Sequence, residues 1–219
     1  MPFLRHLDPG ESLGEILFGL IMVLTFTLGA GIAVRAGEGA GDARELLYAA
    51  IGCNIAWGII DAVLYVMGQV FARSRRVRLL RAINAASDET AALAAIRAEL
   101  EPGLESITQK EDRDQLYRSV HALVTRSKSP KARVTRDDLM GAVAVFSLVV
   151  MTALPAAAPF LLIDDPWLAL RLSNLLLTIL LFIVGYRWAR HTNANPWLAG
   201  LAVTALGVVL VAIAIPLGG

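Results

Sequence analysis

LLYAAIGCNIAWGIIDAVLYVMGQVF, running from Leu46 to Phe71, is 26 residues long and carries one charge, at Asp61. An α-helix rises 1.5 Å per residue, and the hydrocarbon core of a bilayer is about 30 Å thick, so a helix of this length crosses it. The stretch therefore reads as a membrane span, and that reading decides the fold class. A carboxylate inside a span costs roughly 2.5–3.5 kcal/mol on insertion scales, which makes Asp61 a candidate functional residue from the outset.

Outward from this stretch the same pattern recurs. Ile16 to Val34, Leu139 to Ile163 and Trp197 to Leu217 are uncharged, and Pro166 to Trp188 carries only Arg171 near its start and Arg187 at its end. The chain is 56% hydrophobic with mean hydropathy +0.60, more apolar than ordinary soluble domains. The net charge of +1 singles out no nucleic-acid partner. With one cysteine, Cys53, no intrachain disulfide can form. The first run lacks a small-residue cleavage pattern and is expected to be a retained helix. The reading is an all-α integral membrane protein with five transmembrane helices and a small cytosolic helical insertion between helices two and three. Its parts are 1–71 (N-terminal segment and helices one and two), 72–136 (insertion) and 137–219 (helices three to five).

Helix starts are marked by Asp8-Pro9-Gly10-Glu11, Thr135-Arg136-Asp137-Asp138, Asp165-Pro166 and Asn195-Pro196, each a capping residue, three followed by proline at the first helical position. In the insertion, Ser87-Asp88-Glu89 predicts a start, Pro102-Gly103 a break, Thr108-x-x-Glu111 a capping box, and Ser129-Pro130 a stop. Arginines crowd the start of the insertion at positions 73, 75, 76, 78 and 81, and lysine and arginine are absent from Asp164-Asp165. The positive-inside rule then places the N-terminus and the insertion in the cytosol and the C-terminus outside.

Within the spans, small and weakly polar residues align: Asn54, Gly58, Asp61, Tyr65 and Gly68; Arg171, Asn174, Thr178 and Gly185; Gly200, Thr204 and Gly207. Such faces serve helix packing in lipid or line a polar path. With the first span starting at Ile16, Asp61 is the one acid well inside any span. Arg171 is expected at a different depth, reaching outward. Pro155 and Pro159 predict a kink in the third span, with freed carbonyls that are hard ligands for small cations. Asp61 leads the candidate metal ligands, with Met22, Asn54 and Met151 beside it. His6, His121 and His191 are isolated and no nucleophile–base set is present, so no enzyme is expected. No resident cofactor is required.

Five spans, an insertion after the second and a proline-rich third span together resemble the vacuolar iron transporter family. The local echoes are Thr27-Leu28-Gly29-Ala30-Gly31, and Leu154-Pro155 through Pro159-Phe160-Leu161. The resemblance implies a homodimer in the bacterial inner membrane that exports Fe²⁺ or a similar divalent ion such as Mn²⁺, in exchange for protons. It also implies a path between subunits lined by a span-one carboxylate and by methionine and glutamate of span two, and insertion acids that gather metal. On that pattern Asp61 stands for the span-two glutamate, Met67 is a soft ligand, and Glu101, Glu105 and Glu111 are the insertion's candidates. Two departures stand out. Phe18-Gly19-Leu20-Ile21-Met22 holds no acid where the family has one, and the insertion holds no methionine. The other reading is a non-transporting membrane scaffold or sensor of the same fold, whose basic insertion meets anionic lipid or a protein partner.

Overall fold

The computed structural model describes residues 7–35, 43–126 and 132–214. The expected stop at Ser129-Pro130 and most of the first connecting loop lie outside them. Among the described residues the chain is all-helical: α1 Pro9–Arg35, α2 Ala43–Asn84, α3 Glu89–Leu104, α4 Lys110–Val124, α5 Arg136–Met151, α6 Ala153–Leu162, α7 Pro166–Ala189 and α8 Pro196–Ala214. Four stretches are long and apolar enough to cross a membrane: Pro9–Leu28, Tyr48–Asn84, Arg136–Leu162 and Leu168–Ala189. The described apolar part of α8, Pro196–Leu210, is shorter. The chain is thus a multi-pass membrane protein. It divides into two compact units, Met1–Val66 with Arg136–Gly219, and Met67–Thr135.

The capping signals act largely as their chemistry demands. Asp8 Oδ1 accepts from the Gly10 amide at 2.7 Å, and Glu11 Oε2 accepts from the Asp8 amide at 3.2 Å, a reciprocal cap that starts α1 at Pro9. The helix therefore begins two turns earlier than the uncharged run suggested, and Glu11 and Glu15 lie within it. Asp88 caps α3 through the Ala91 amide at 2.8 Å, and Asn195 caps α8 through the Trp197 amide at 3.0 Å. Two local expectations fail. α3 runs through Pro102 to Leu104, because a proline this close to a helix end forfeits only the bond to the Ala98 carbonyl, and both residues are exposed to water. α4 starts one residue later than a Thr108 cap requires, and the Thr108 hydroxyl instead donates back to the Leu104 carbonyl at 2.7 Å.

The larger unit packs around Leu20, Val23 and Leu24 of α1, Ala153 and Ala156 of α6, and Leu177, Leu181 and Val184 of α7. Lipid tails are as apolar as leucine, so close approach of helices, and not exclusion from water, selects these contacts. Hence glycine stands where a Cβ would collide: Gly185 against the Ala199 carbonyl and Val203, Gly200 against the Phe182 ring, and Gly207 against Leu181.

The third span is two helices, interrupted at Thr152. Pro155 has no N–H to offer the Met151 carbonyl, and the hydrogen-bond ladder lapses just before it. In lipid such a lapse needs internal partners. Beside the break, Asn54 of α2, 1% exposed, donates its Nδ2 to the Val149 carbonyl at 3.0 Å and to Thr152 Oγ1 at 3.1 Å. The same amide lies 3.5 Å from the Gly19 carbonyl, and Thr152 Oγ1 donates to the Val149 carbonyl at 2.6 Å. A Cβ on Gly19 would overlap the Thr152 hydroxyl. On α7, Ser173 donates to the Ala156 carbonyl at 2.9 Å, and Thr27 of α1 meets Asn174 at 2.6 Å.

The Asn54 knot sets two expectations. Asn54→Leu costs about 1 kcal/mol, seen as a fall of about 2–4 °C in the thermal midpoint of the purified protein. Gly19→Val costs about 1–3 kcal/mol through overpacking. Ile179→Val, on an outward face of α7, serves as the control, and a midpoint for Asn54→Leu equal to that control would contradict the role given to the knot.

Candidate functional site

The inward face of α2 orders the site. Asn54 and Gly58 are buried, and Asp61 and Tyr65 continue the stripe half-buried. Gly58 lies against Phe146 of α5, where a Cβ would stand 3.1 Å from the ring. Gly141, lower on α5, leaves the space that the Tyr65 ring occupies, and Tyr65 packs with Leu7, Ala144, Val145 and Leu148. These contacts fix the rotation of α2 and, with it, the position of the Asp61 carboxylate. Its Oδ2 atom is buried and has no hydrogen-bond partner among the described residues.

The early start of α1 brings in a second acid. Glu15, half-buried, is within electrostatic reach of both Asp61 and Glu11. Tyr65, one turn from Asp61, feels Glu11 as well as Asp137 and Asp138 of α5, and Asp138 is 4% exposed. Carboxylates from α1, α2 and α5 thus share one neighbourhood in the larger unit. The expectation that Asp61 stands alone among the spans is corrected: α1 begins at Pro9, and Glu15 lies inside the candidate span Pro9–Leu28. The signal was present in the sequence. Asp8-Pro9 fixes the helix start, and Glu11 and Glu15 are then four apart on one face.

The remaining candidates are dispersed. Asn54 spends its amide on Val149, Thr152 and Gly19. Met22 is half-buried in α1, and Met67 and Met151 are exposed at 60% and 43%. Glu101, Glu105 and Glu111 belong to the smaller unit. Glu101 meets Arg97 at 3.5 Å and Arg113 at 3.8 Å, while Glu105 and Glu111 are exposed. Nearby acids are also held by arginine: Asp114 by Arg97 at 2.5 Å, and Glu99 by Arg75 at 2.8 Å. Among the described residues, no three histidine, cysteine, aspartate or glutamate side chains of one chain come together as a metal cage.

In the smaller unit, α3 and α4 pack through Ala92, Ile96 and Tyr117, with Ile83 of α2. A cavity of about 500 Å³ lies along the two helices, lined by Arg97, Glu101, Asp114, Tyr117 and Arg118 among others. The Arg97 guanidinium stands 5.8 Å from the Tyr117 ring centroid, bridging Asp114 and Glu101. A cation therefore already sits between these carboxylates, and it is a side chain.

A family model matches residues 71–219, and its description is the VIT family. The match covers more than half of the chain and begins just after the Asp61 stripe. No significant match is found among curated proteins.

The two acids near the start of α1 have opposite expected effects. Glu15→Gln removes a carboxylate that is costly to bury and that repels Asp61 and Glu11, and raises stability by about 1 kcal/mol. Glu11→Ala removes half of a reciprocal cap and lowers stability by about 1 kcal/mol. Thermal midpoints of the two variants check this, and a shift of the same sign in both would contradict the arrangement.

Proposed function

Because the chain belongs to the VIT family, we propose that it carries divalent metal ions, Fe²⁺ or Mn²⁺, out of the cytosol in exchange for protons. The observation that carries this reading is that Glu15 on α1 and Asp61 on α2, both within candidate spans, lie within electrostatic reach of each other. Two like charges in a medium of low dielectric repel, and a divalent cation or a proton between them relieves that repulsion. Metal binding requires deprotonated carboxylates, so loading an ion expels protons and unloading it readmits them. In this proposal Glu15 fills the role of a span-one acid, one turn or so before the stretch where the family resemblance led us to expect it.

One chain brings too few ligands together for a closed site, and Fe²⁺ and Mn²⁺ bind several oxygen or nitrogen ligands. A two-fold axis doubles the set, and we place it along α2. The α2 span is 17% buried, against 44% for the α5–α6 span and 39% for α7. Ile59, Ile60, Val63 and Leu64 are exposed beside Asp61. The proposed assembly is a homodimer in a bacterial inner membrane, with five spans per chain, α3 and α4 in a cytosolic insertion, the N-terminus inside and the C-terminus outside. Met22, Met67 and Met151 are proposed as auxiliary ligands along the path. Glu101, Glu105 and Glu111 of the smaller unit are proposed to raise the local cation concentration without forming a cage.

A second reading, a non-transporting membrane protein of the same fold, is favoured by one observation: the described acids Glu99, Glu101 and Asp114 are all held by arginine. Flux into proteoliposomes separates the two. Wild type is expected to move Fe²⁺ or Mn²⁺, and Asp61→Asn and Glu15→Gln are each expected to slow it at least about tenfold, a loss of about 1.4 kcal/mol of transition-state stabilisation. Equal flux in wild type and both variants would remove the two acids from the path. No flux in folded wild type would select the second reading.

A further inference from the structure

Residues 67–135 contain thirteen lysines and arginines against eight aspartates and glutamates, a strong excess of positive charge in a chain whose net charge is +1. Part of that excess is spent internally. Arg73 donates to the Arg133 carbonyl, Arg75 pairs with Glu99 at 2.8 Å, and Arg97 and Arg113 hold Glu101. Arg78 and Arg81, both on α2, are exposed and have no ion pair among the described residues. At 100° per residue, Phe71, Arg75, Arg78 and Arg81 fall on one side of the helix, within about 120°.

That side changes character along its length. Met67 and Phe71 are 60% and 65% exposed, and the apolar run of α2 ends at Phe71. The arginines begin directly after it. Seven residues along a helix correspond to about 10 Å, yet the Arg78 guanidinium carbon lies 5.9 Å from the Phe71 ring centroid. The Arg78 side chain therefore folds back along α2 toward the end of the apolar run. This is the level at which acyl chains give way to phosphates, and the fold-back places a guanidinium there on an aromatic ring that acyl chains can cover.

We infer that Phe71, Arg78 and Arg81 form a binding site for an anionic phospholipid, with acyl chain against Met67 and Phe71 and headgroup phosphate on Arg78 and Arg81. Guanidinium binds phosphate oxygens in a bidentate fork, which a zwitterionic headgroup satisfies less well because its own cation competes. The Glu99 carboxylate, which reaches this helix from α3, is already paired with Arg75. The site stands on the charge and geometry of α2 alone, whether or not the chain carries ions.

The test is native mass spectrometry of the delipidated full-length protein titrated with phosphatidylglycerol or phosphatidylcholine. Wild type is expected to retain phosphatidylglycerol in preference to phosphatidylcholine. Arg78→Gln with Arg81→Gln is expected to weaken phosphatidylglycerol binding about ten- to thirtyfold, the share of two arginines in attraction to an anionic headgroup. Arg118→Gln with Arg126→Gln, which removes equal charge from exposed positions on the same unit, is expected to leave it unchanged. Equal loss in the control pair would mean diffuse attraction and overturn the site. So would unchanged retention in the Arg78/Arg81 variant, displacement by millimolar inorganic phosphate alone, or a change in oligomeric state in place of lipid loss.

Discussion

A membrane helix that is interrupted has no water to satisfy its backbone, and the third span is interrupted at Thr152, before Pro155. A side chain from another helix meets it there. The Asn54 amide reaches from α2 to the Val149 carbonyl and the Thr152 hydroxyl, and lies close to the Gly19 carbonyl of α1. A single side chain thus ties α2 to α1 and α5, which also pack on each other. The candidate site in the larger unit is registered from that point. Gly58, Asp61 and Tyr65 follow Asn54 along one face of α2, so fixing Asn54 also fixes which way the Asp61 carboxylate is turned.

Much of this was legible as spacing. The stripe of Asn54, Gly58, Asp61 and Tyr65 is the inward face of α2, and Gly185, Gly200 and Gly207 mark the close approach of α7 and α8. Asp8, Asp88 and Asn195 cap helices because a short polar side chain before an apolar run has few better uses. The misreadings have a common cause, which is that hydropathy marks where a chain is apolar and not where its helix begins or ends. Hydropathy begins the first span at Ile16 and so leaves Glu15 outside, whereas α1 starts at Pro9 and contains it. Pro102 signals a break, yet near a helix end it costs only one exposed bond. The kink in the third span was visible in Pro155 and Pro159, but its partner was not, because nothing local to Val149 points to Asn54, 95 residues away.

The acids divide into two groups with opposite surroundings. In the larger unit, Glu15 is half-buried and within electrostatic reach of Asp61, a charge of the same sign. In the smaller unit, Glu99, Glu101 and Asp114 each meet an arginine. The first arrangement is costly for the fold and useful for a mobile cation, whereas the second is satisfied and needs no ion. Composition gives no sign of this difference, since both groups are acids near apolar helices. It depends on which neighbours the fold supplies, and in the smaller unit Arg75, Arg97 and Arg113 supply them.

The glycines of the α7–α8 pair carry one more consequence, in the distribution of stiffness. Gly185, Gly200 and Gly207 leave room for a hydrogen and no more, so neither helix can roll on the other without collision. Ser173 and Asn174 tie the same pair to α6 and α1. α2, by contrast, meets its neighbours through a few side chains, with much of its span left outward. Close packing is thus concentrated at α7 and α8, and the helix that bears Asp61 is held instead by the separate contacts of Asn54, Gly58 and Tyr65.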